Sequence, residues 1–106
     1  MSSEYALIIS TCGDMESANM IARILVEMRL AACVQMFPIG SVYLWQGEIC
    51  EDKEVALFIK SKATMFDRVA AVIKENHQYD IPEIVQLPIT GGLPDYLRWV
   101  DECVGE

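Results

Sequence analysis

Apolar and polar residues alternate along this chain with two different periods, and the changes of period mark its elements. Tyr5 to Ser10 is an apolar run of strand length, stopped by Cys12-Gly13-Asp14, where Asp14 is placed to cap a helix. From Met15 onward, Ala18, Ile21, Ala22, Leu25 and Met28 recur at helical spacing, with Glu16, Asn19, Arg23 and Glu27 between them. An amphipathic helix ending near Leu30 is predicted. Cys33 to Met36 begins a second strand, which Phe37-Pro38-Ile39-Gly40 interrupts, because a proline removes a ladder donor and implies a bulge or an edge. Ser41 to Trp45 resumes it. Gln46-Gly47 predicts a hairpin turn, and Glu54 to Lys62 returns with Val55, Leu57 and Ile59 on one face and Glu54, Ala56, Phe58 and Lys60 on the other.

Thr64-x-x-Asp67 has the form of a capping box, and Phe66, Val69, Ala70 and Ile73 continue as a second helical stripe that should stop near His77. Pro82 holds Ile81 extended, Glu83 to Ile89 reads as a fourth strand, and Gly91-Gly92 as a turn. Tyr96, Trp99, Val100 and Cys103 share one face of a short final helix. The order β-α-β-β-α-β plus a C-terminal helix predicts an α+β fold of the ferredoxin-like, split βαβ type: an antiparallel four-stranded sheet with two helices on one face. Two helices cover only that face, so the other must meet solvent or another subunit.

Composition narrows the classes. One domain over residues 1–106 suits the length, and 53% hydrophobic residues is high for so small a chain, which points to apolar surface buried between subunits. Sixteen acidic against eight basic residues give a net charge of −8, which repels a phosphate backbone and makes nucleic acid an unsuitable partner. Cys12, Cys33, Cys50 and Cys103 form no CxxC pair, and no signal-peptide pattern precedes them, so a reduced cytoplasmic protein is expected. No apolar run approaches the ~18 residues of a membrane span, so direct membrane insertion is not expected.

Five short motifs go further: Thr11-Cys12 after the first strand, Arg29-Leu30-Ala31-Ala32-Cys33-Val34, Tyr43-x-Trp45-x-Gly47, His77-Gln78-Tyr79-Asp80-Ile81-Pro82-Glu83, and Pro94-Asp95-Tyr96-Leu97-x-Trp99. In their order and spacing from about residue 5 to residue 102 the chain closely resembles the CutA proteins, the divalent-cation tolerance family. That resemblance implies a ferredoxin-like homotrimer related in shape to the PII signalling proteins. It also implies an association of the histidine region with divalent metal, copper especially. The family pattern is His-Pro-Tyr-x-x-Pro-Glu, and this chain has Gln78 in place of its proline.

His77 is the only histidine, able to bind a metal or move a proton, and equally able to serve as a structural group bonded to a backbone carbonyl. A transition-metal site needs three or four ligands, so the candidates beside His77 are Cys12, expected in an exposed loop, and Glu83, with Cu²⁺ or Zn²⁺ held weakly. Cys33 reads as a structural residue packed in the core, Cys103 as packing, Cys50 as open to solvent, and Pro82 as a structural constraint. Tyr43, Trp45, Lys60 and Tyr79 are candidates for a cleft or subunit interface, where aromatics with one amine suit a small anionic or planar ligand. Glu48, Glu51, Asp52 and Glu54 crowd the hairpin without the spacing of a calcium loop.

The expected function is a trimeric protein for divalent-cation binding and tolerance. The alternatives are a PII-like sensor of a small metabolite and a trimeric scaffold. An enzyme is not expected: Thr11-Cys12-Gly13-Asp14 sets one glycine and an acid where an acylphosphatase of the same superfold cradles phosphate, and no nucleotide or hydrolase motif appears.

Overall fold

The computed structural model describes residues 4–105, which form β1 (Tyr5–Cys12), α1 (Met15–Glu27), β2 (Cys33–Trp45), β3 (Glu48–Lys62), α2 (Phe66–Asn76), β4 (Ile84–Pro88) and α3 (Pro94–Cys103). The strands make one sheet in the order β2-β3-β1-β4, every pair antiparallel. This is the ferredoxin-like arrangement expected from the periodicity.

The core follows from strand alternation. Ala6, Ile8, Ser10 and Cys12 of β1 lie opposite Ser61, Ile59, Leu57 and Val55 of β3, and all eight are buried. Ala18, Ile21 and Leu25 of α1 and Val69, Val72 and Ile73 of α2 close over them. Two buried hydroxyls find backbone acceptors: Ser61 donates to the Leu30 carbonyl at 2.6 Å and Ser10 to the Glu83 carbonyl at 2.7 Å. The Asp14 side chain caps α1 by accepting from the Ser17 N–H at 2.7 Å, and these bonds hold its carboxyl below the usual range. That cap is therefore intact at neutral pH and is lost only as the pH falls through the lowered value.

Several local expectations are corrected. β1 runs two residues past Ser10, and α1 ends at Glu27, which leaves Met28 exposed. β2 is not interrupted at Pro38, which pairs with Val55 without a bulge, and the proline sits on an edge strand, the other of the two expected placements. Glu48 to Lys53 belong to β3. Thr64 lies in a 3₁₀ turn, Ala63–Met65, and α2 has no side-chain cap, so Thr64-x-x-Asp67 is not a capping box. In the stripe of α2, Val72 is buried where Ala70 was expected. The fourth strand is Ile84–Pro88, and Gly91-Gly92 is an irregular connection in which a Cβ on Gly92 would press on Leu97 at 3.2 Å.

The Arg29-Leu30-Ala31-Ala32 motif turns out to be a junction. Arg29 adopts φ 59° after α1, its N–H donates to the Val26 carbonyl, and the Leu30 N–H donates to the Leu25 carbonyl, the bond pattern of a Schellman cap. Leu25 and Leu30 are both buried beneath it. Glycine would take this conformation at lower cost, but the arginine side chain has a second task. Its Nε donates to the Cys103 carbonyl at 3.1 Å and its Nη2 to the Glu102 carbonyl at 2.8 Å, satisfying the end of α3. Arg29→Ala is expected to lose about 1 kcal/mol, with faster hydrogen exchange at the Val104 and Gly105 amides. Exchange unchanged there would show that α3 is held by Val100, Val104 and the Lys62–Asp101 pair instead.

β2 and β3 outrun the rest of the sheet. β1 stops at Cys12 opposite Val55, so the pairs from Ile39↔Glu54 to Trp45↔Glu48 stand without a third strand. Gln46 and Gly47 turn the hairpin with φ 49° and 82°, the positive pair that a two-residue turn needs. The sheet face away from the helices carries Leu7, Ile9, Phe37, Phe58, Val85 and Leu87, and Phe37, Val85 and Leu87 remain 39%, 45% and 43% exposed.

Candidate functional site

The expected metal residues sit where α2 ends against the far end of β1. His77 follows the last residue of α2 with extended backbone, which turns its ring back toward β1. Nε2 lies 2.6 Å from the Thr11 carbonyl, and Nδ1 lies 3.0 Å from the Tyr79 backbone N–H. A carbonyl only accepts and an N–H only donates, so the partners assign the proton to Nε2 and leave Nδ1 as the acceptor. Both ring nitrogens are thereby engaged. The lone pair that a metal requires already holds the turn at Tyr79.

Cys12 and Cys33 exchange the places expected of them. Because β1 continues past Ser10, Cys12 falls on its helix-facing side and is 1% exposed, while Cys33 opens β2 on the opposite face and is half-buried. Burial, aided by the nearby charges of Asp14 and Glu54, pushes the Cys12 thiol up to about 11. It is a packed thiol, not a thiolate. Cys12 and His77 border one small crevice with Gly13 and Asn76, whereas the Glu83 side chain is exposed and lines a different cavity. Among the described residues, no three His, Cys, Asp or Glu side chains are grouped so as to hold a metal ion. His77, Cys12 and Glu83 are thus not assembled as one ligand set within the chain. Cys50 and Cys103 are half-buried, as is Pro82.

The cavity that Glu83 lines is a groove of about 660 Å³ between the hairpin, from its root to its turn, and the 79–83 segment. Ser41, Tyr43 and Trp45 of β2 line one side, Glu54 and Thr11 its floor, and Tyr79, Asp80, Ile81 and Glu83 the other side. The Tyr79 hydroxyl donates to Glu54 Oε2 at 3.1 Å, and the Tyr43 hydroxyl donates to Asp52. Burial and the Glu54 charge push Tyr79 up to about 12, and the bond to Asp52 does the same for Tyr43. Both phenols therefore stay neutral donors to these carboxylates.

Tyr43, Trp45, Tyr79 and Glu83, chosen from the sequence, do meet here. Lys60 does not. It lies six residues beyond Glu54 on β3, about 20 Å along the strand, and donates to Gln35 Oε1 at 2.7 Å. Without it the groove has Glu54, Asp80 and Glu83 on its walls and no lysine or arginine, so the small anion expected from the sequence finds no counter-charge. Glu54 and Asp80 were missed as site residues. Asp80 lay inside a quoted motif, and Glu54 was one acid among four until the register placed it beside Tyr79.

A family model described as CutA1 divalent ion tolerance protein matches residues 6–103. The divalent-cation tolerance protein CutA of Thermus thermophilus is 43% identical over 100 residues, which cover 93% of this chain and 97% of that protein. The structure of CutA1 from the psychrotrophic bacterium Shewanella sp. SIB1, described as a stable protein, superposes with a TM-score of 0.96 at 36% identity, covering 100% of both chains. The periplasmic divalent cation tolerance protein CutA from Archaeoglobus fulgidus superposes with a TM-score of 0.94 at 39% identity, covering 95% of this chain and 99% of that one.

Proposed function

This chain belongs to the CutA1 divalent ion tolerance family, and from that premise we propose that it is a homotrimer that binds divalent cations and serves tolerance toward them without catalysing a reaction. The observation that carries the cation reading is the groove, whose walls hold Glu54, Asp80 and Glu83, spread along it rather than grouped as a three-ligand set, with no basic side chain among the lining residues. Divalent cations that keep part of their water shell are bound through one or two carboxylates, which is what such a groove offers. Copper and zinc favour imidazole and thiolate. To use His77 and Cys12 they must displace the Tyr79 N–H from Nδ1 and ionise a buried thiol. Their binding through His77, Cys12 and Glu83 is accordingly weak, and the carboxylates of the groove have the stronger claim.

The trimer is supported by the half-exposed apolar sheet face and the projecting hairpin, neither of which the two helices can cover. The four cysteines form no disulfide, which suits the reducing cytoplasm, where we place the protein. No helix of the described residues is long and apolar enough to cross a membrane. A second reading, a sensor of a small metabolite, draws on the volume of the groove, about 660 Å³, within the ~300–1,000 Å³ usual for ligand pockets.

Calorimetry with Mg²⁺, Mn²⁺, Zn²⁺ and Cu²⁺ tests the proposal. Glu54→Gln and Glu83→Gln are each expected to weaken binding about tenfold, as for a lost contact of ~1.4 kcal/mol, with little change in Cys12→Ser. No binding below millimolar concentration for any of the four ions would discard the cation reading in favour of the sensor.

A further inference from the structure

Lys60 has no part in the groove, and its place on the sheet calls for a partner of another kind. Leu87, Leu7, Lys60 and Cys33 form one row across the face away from the helices, through the pairings Leu7↔Leu87, Leu7↔Lys60 and Cys33↔Lys60. Lys60 therefore stands about 10 Å from Leu87, two strand spacings along the row, in the apolar face that a trimer would cover. The basic residues of that face are Lys60 and Lys62. Lys62 is neutralised within the chain, by Asp101 at 2.6 Å and Glu4 at 3.7 Å. Among the described residues Lys60 has no ion pair, and its ammonium donates to the neutral Gln35 Oε1 at 2.7 Å. Once a second copy displaces its water, the compensating group has to come from that copy.

The hairpin carries such groups. The side of the sheet that holds Lys60 continues into it as Ser41, Tyr43 and Trp45, opposite Asp52, Cys50 and Glu48. With Glu54 this side bears three acids, two rings and no base, and Lys53 falls on the opposite side. Trp45 and Glu48 are a cross-strand pair at the tip, which sets a ring beside a carboxylate. Asp52 and Glu54 already accept from Tyr43 and Tyr79, whereas Glu48 is exposed and forms no ion pair among the described residues. The reach also fits: the projecting pairs from Ile39↔Glu54 to Trp45↔Glu48 span about 20 Å, as does β3 from Glu54 to Lys60.

We propose that the hairpin of each copy lies on the sheet face of the next, with Trp45 and Glu48 closing over Lys60. Each copy gives one hairpin and receives one, a heterologous contact that closes as a ring of three. The ammonium is then met by a carboxylate and by the electron-rich face of an indole. This inference rests on the trimer proposed above and adds which surfaces meet in it.

Carbodiimide coupling of the unaltered protein, with the linked peptides read by mass spectrometry, tests the contact. Lys60 and Glu48 are twelve residues apart on one extended strand, about 40 Å, so an amide between them forms only between copies. That link is expected, with bands up to three times the protomer mass on a denaturing gel. In sedimentation over a dilution series, Lys60→Glu and Glu48→Lys should each raise the concentration needed for assembly at least tenfold, because each brings like charges together. The double variant exchanges the two charges and should recover most of that loss, which a misfolded variant would not. Trp45→Leu should weaken assembly by roughly two- to thirtyfold per contact, the range of one cation–π interaction. Sedimentation of the unaltered protein as a monomer overturns the trimer and this inference with it. A trimer in which Lys60 couples to no hairpin carboxylate, in which the single variants assemble unchanged, or in which the double variant recovers nothing overturns this inference alone.

Discussion

Leu87→Asp is expected to convert the assembled protein into monomers. Leu87 lies opposite Leu7 on the sheet face away from the helices and is 43% exposed in the single chain, so the isolated protomer has water for the new carboxylate. In a trimer that buries this face, the carboxylate becomes a charge without a partner, at a cost of ~3–5 kcal/mol per copy, enough to dissociate most assemblies at micromolar concentration. Sedimentation should show one species at three times the protomer mass for the unaltered protein and mainly monomer for the variant. The melting temperature of the unaltered protein should also rise with concentration, because unfolding then includes dissociation. A variant that sediments and melts like the original would mean that this face is not the interface.

His77→Ala should cost about 2 kcal/mol of stability, because it leaves the Thr11 carbonyl and the Tyr79 N–H without their partner in a half-buried junction. His77→Gln should recover part of that loss, since an amide both donates and accepts. Denaturant midpoints at fixed protein concentration measure the series. Calorimetry of the same variants separates a structural histidine from a ligand. If His77→Ala keeps its stability and loses Cu²⁺ or Zn²⁺ affinity by tenfold or more, the imidazole is a ligand and the junction bonds count for little. The expected pattern is the reverse: lower stability, with Mg²⁺ and Mn²⁺ binding nearly unchanged.

These two residues show where reading a sequence succeeds and where it stops. The helix and strand order was legible because burial imposes a period, and β1 against β3 keeps that period from Tyr5 to Cys12. Boundaries were less legible. Whether β1 ends at Ser10 or Cys12 depends on β3 being there to pair, and those two residues move Cys12 from a loop to the core. The end of α1 was hidden for a related reason. Arg29 takes the cap position that glycine usually fills, and its use became visible only with the carbonyls of α3 beside it, 74 residues away in sequence.

The candidate site divides in the same way. Tyr43, Trp45, Tyr79 and Glu83 belong to motifs whose residue types advertise a binding role, and they do line one groove. Lys60, on the same strand as Glu54, points to the same conclusion in sequence, but the extended rise of a strand carries it out of reach. By itself the sequence determined the fold class, the family, the acidic charge and the three aromatic residues of the groove, because each depends on local period, residue type or motif spacing. The tertiary structure alone decided that both nitrogens of His77 are engaged, that Cys12 is buried, and that Glu54 and Asp80, not Lys60, line the groove. Those outcomes depend on strand register and on contacts between segments far apart in the chain, which no local pattern of residues encodes.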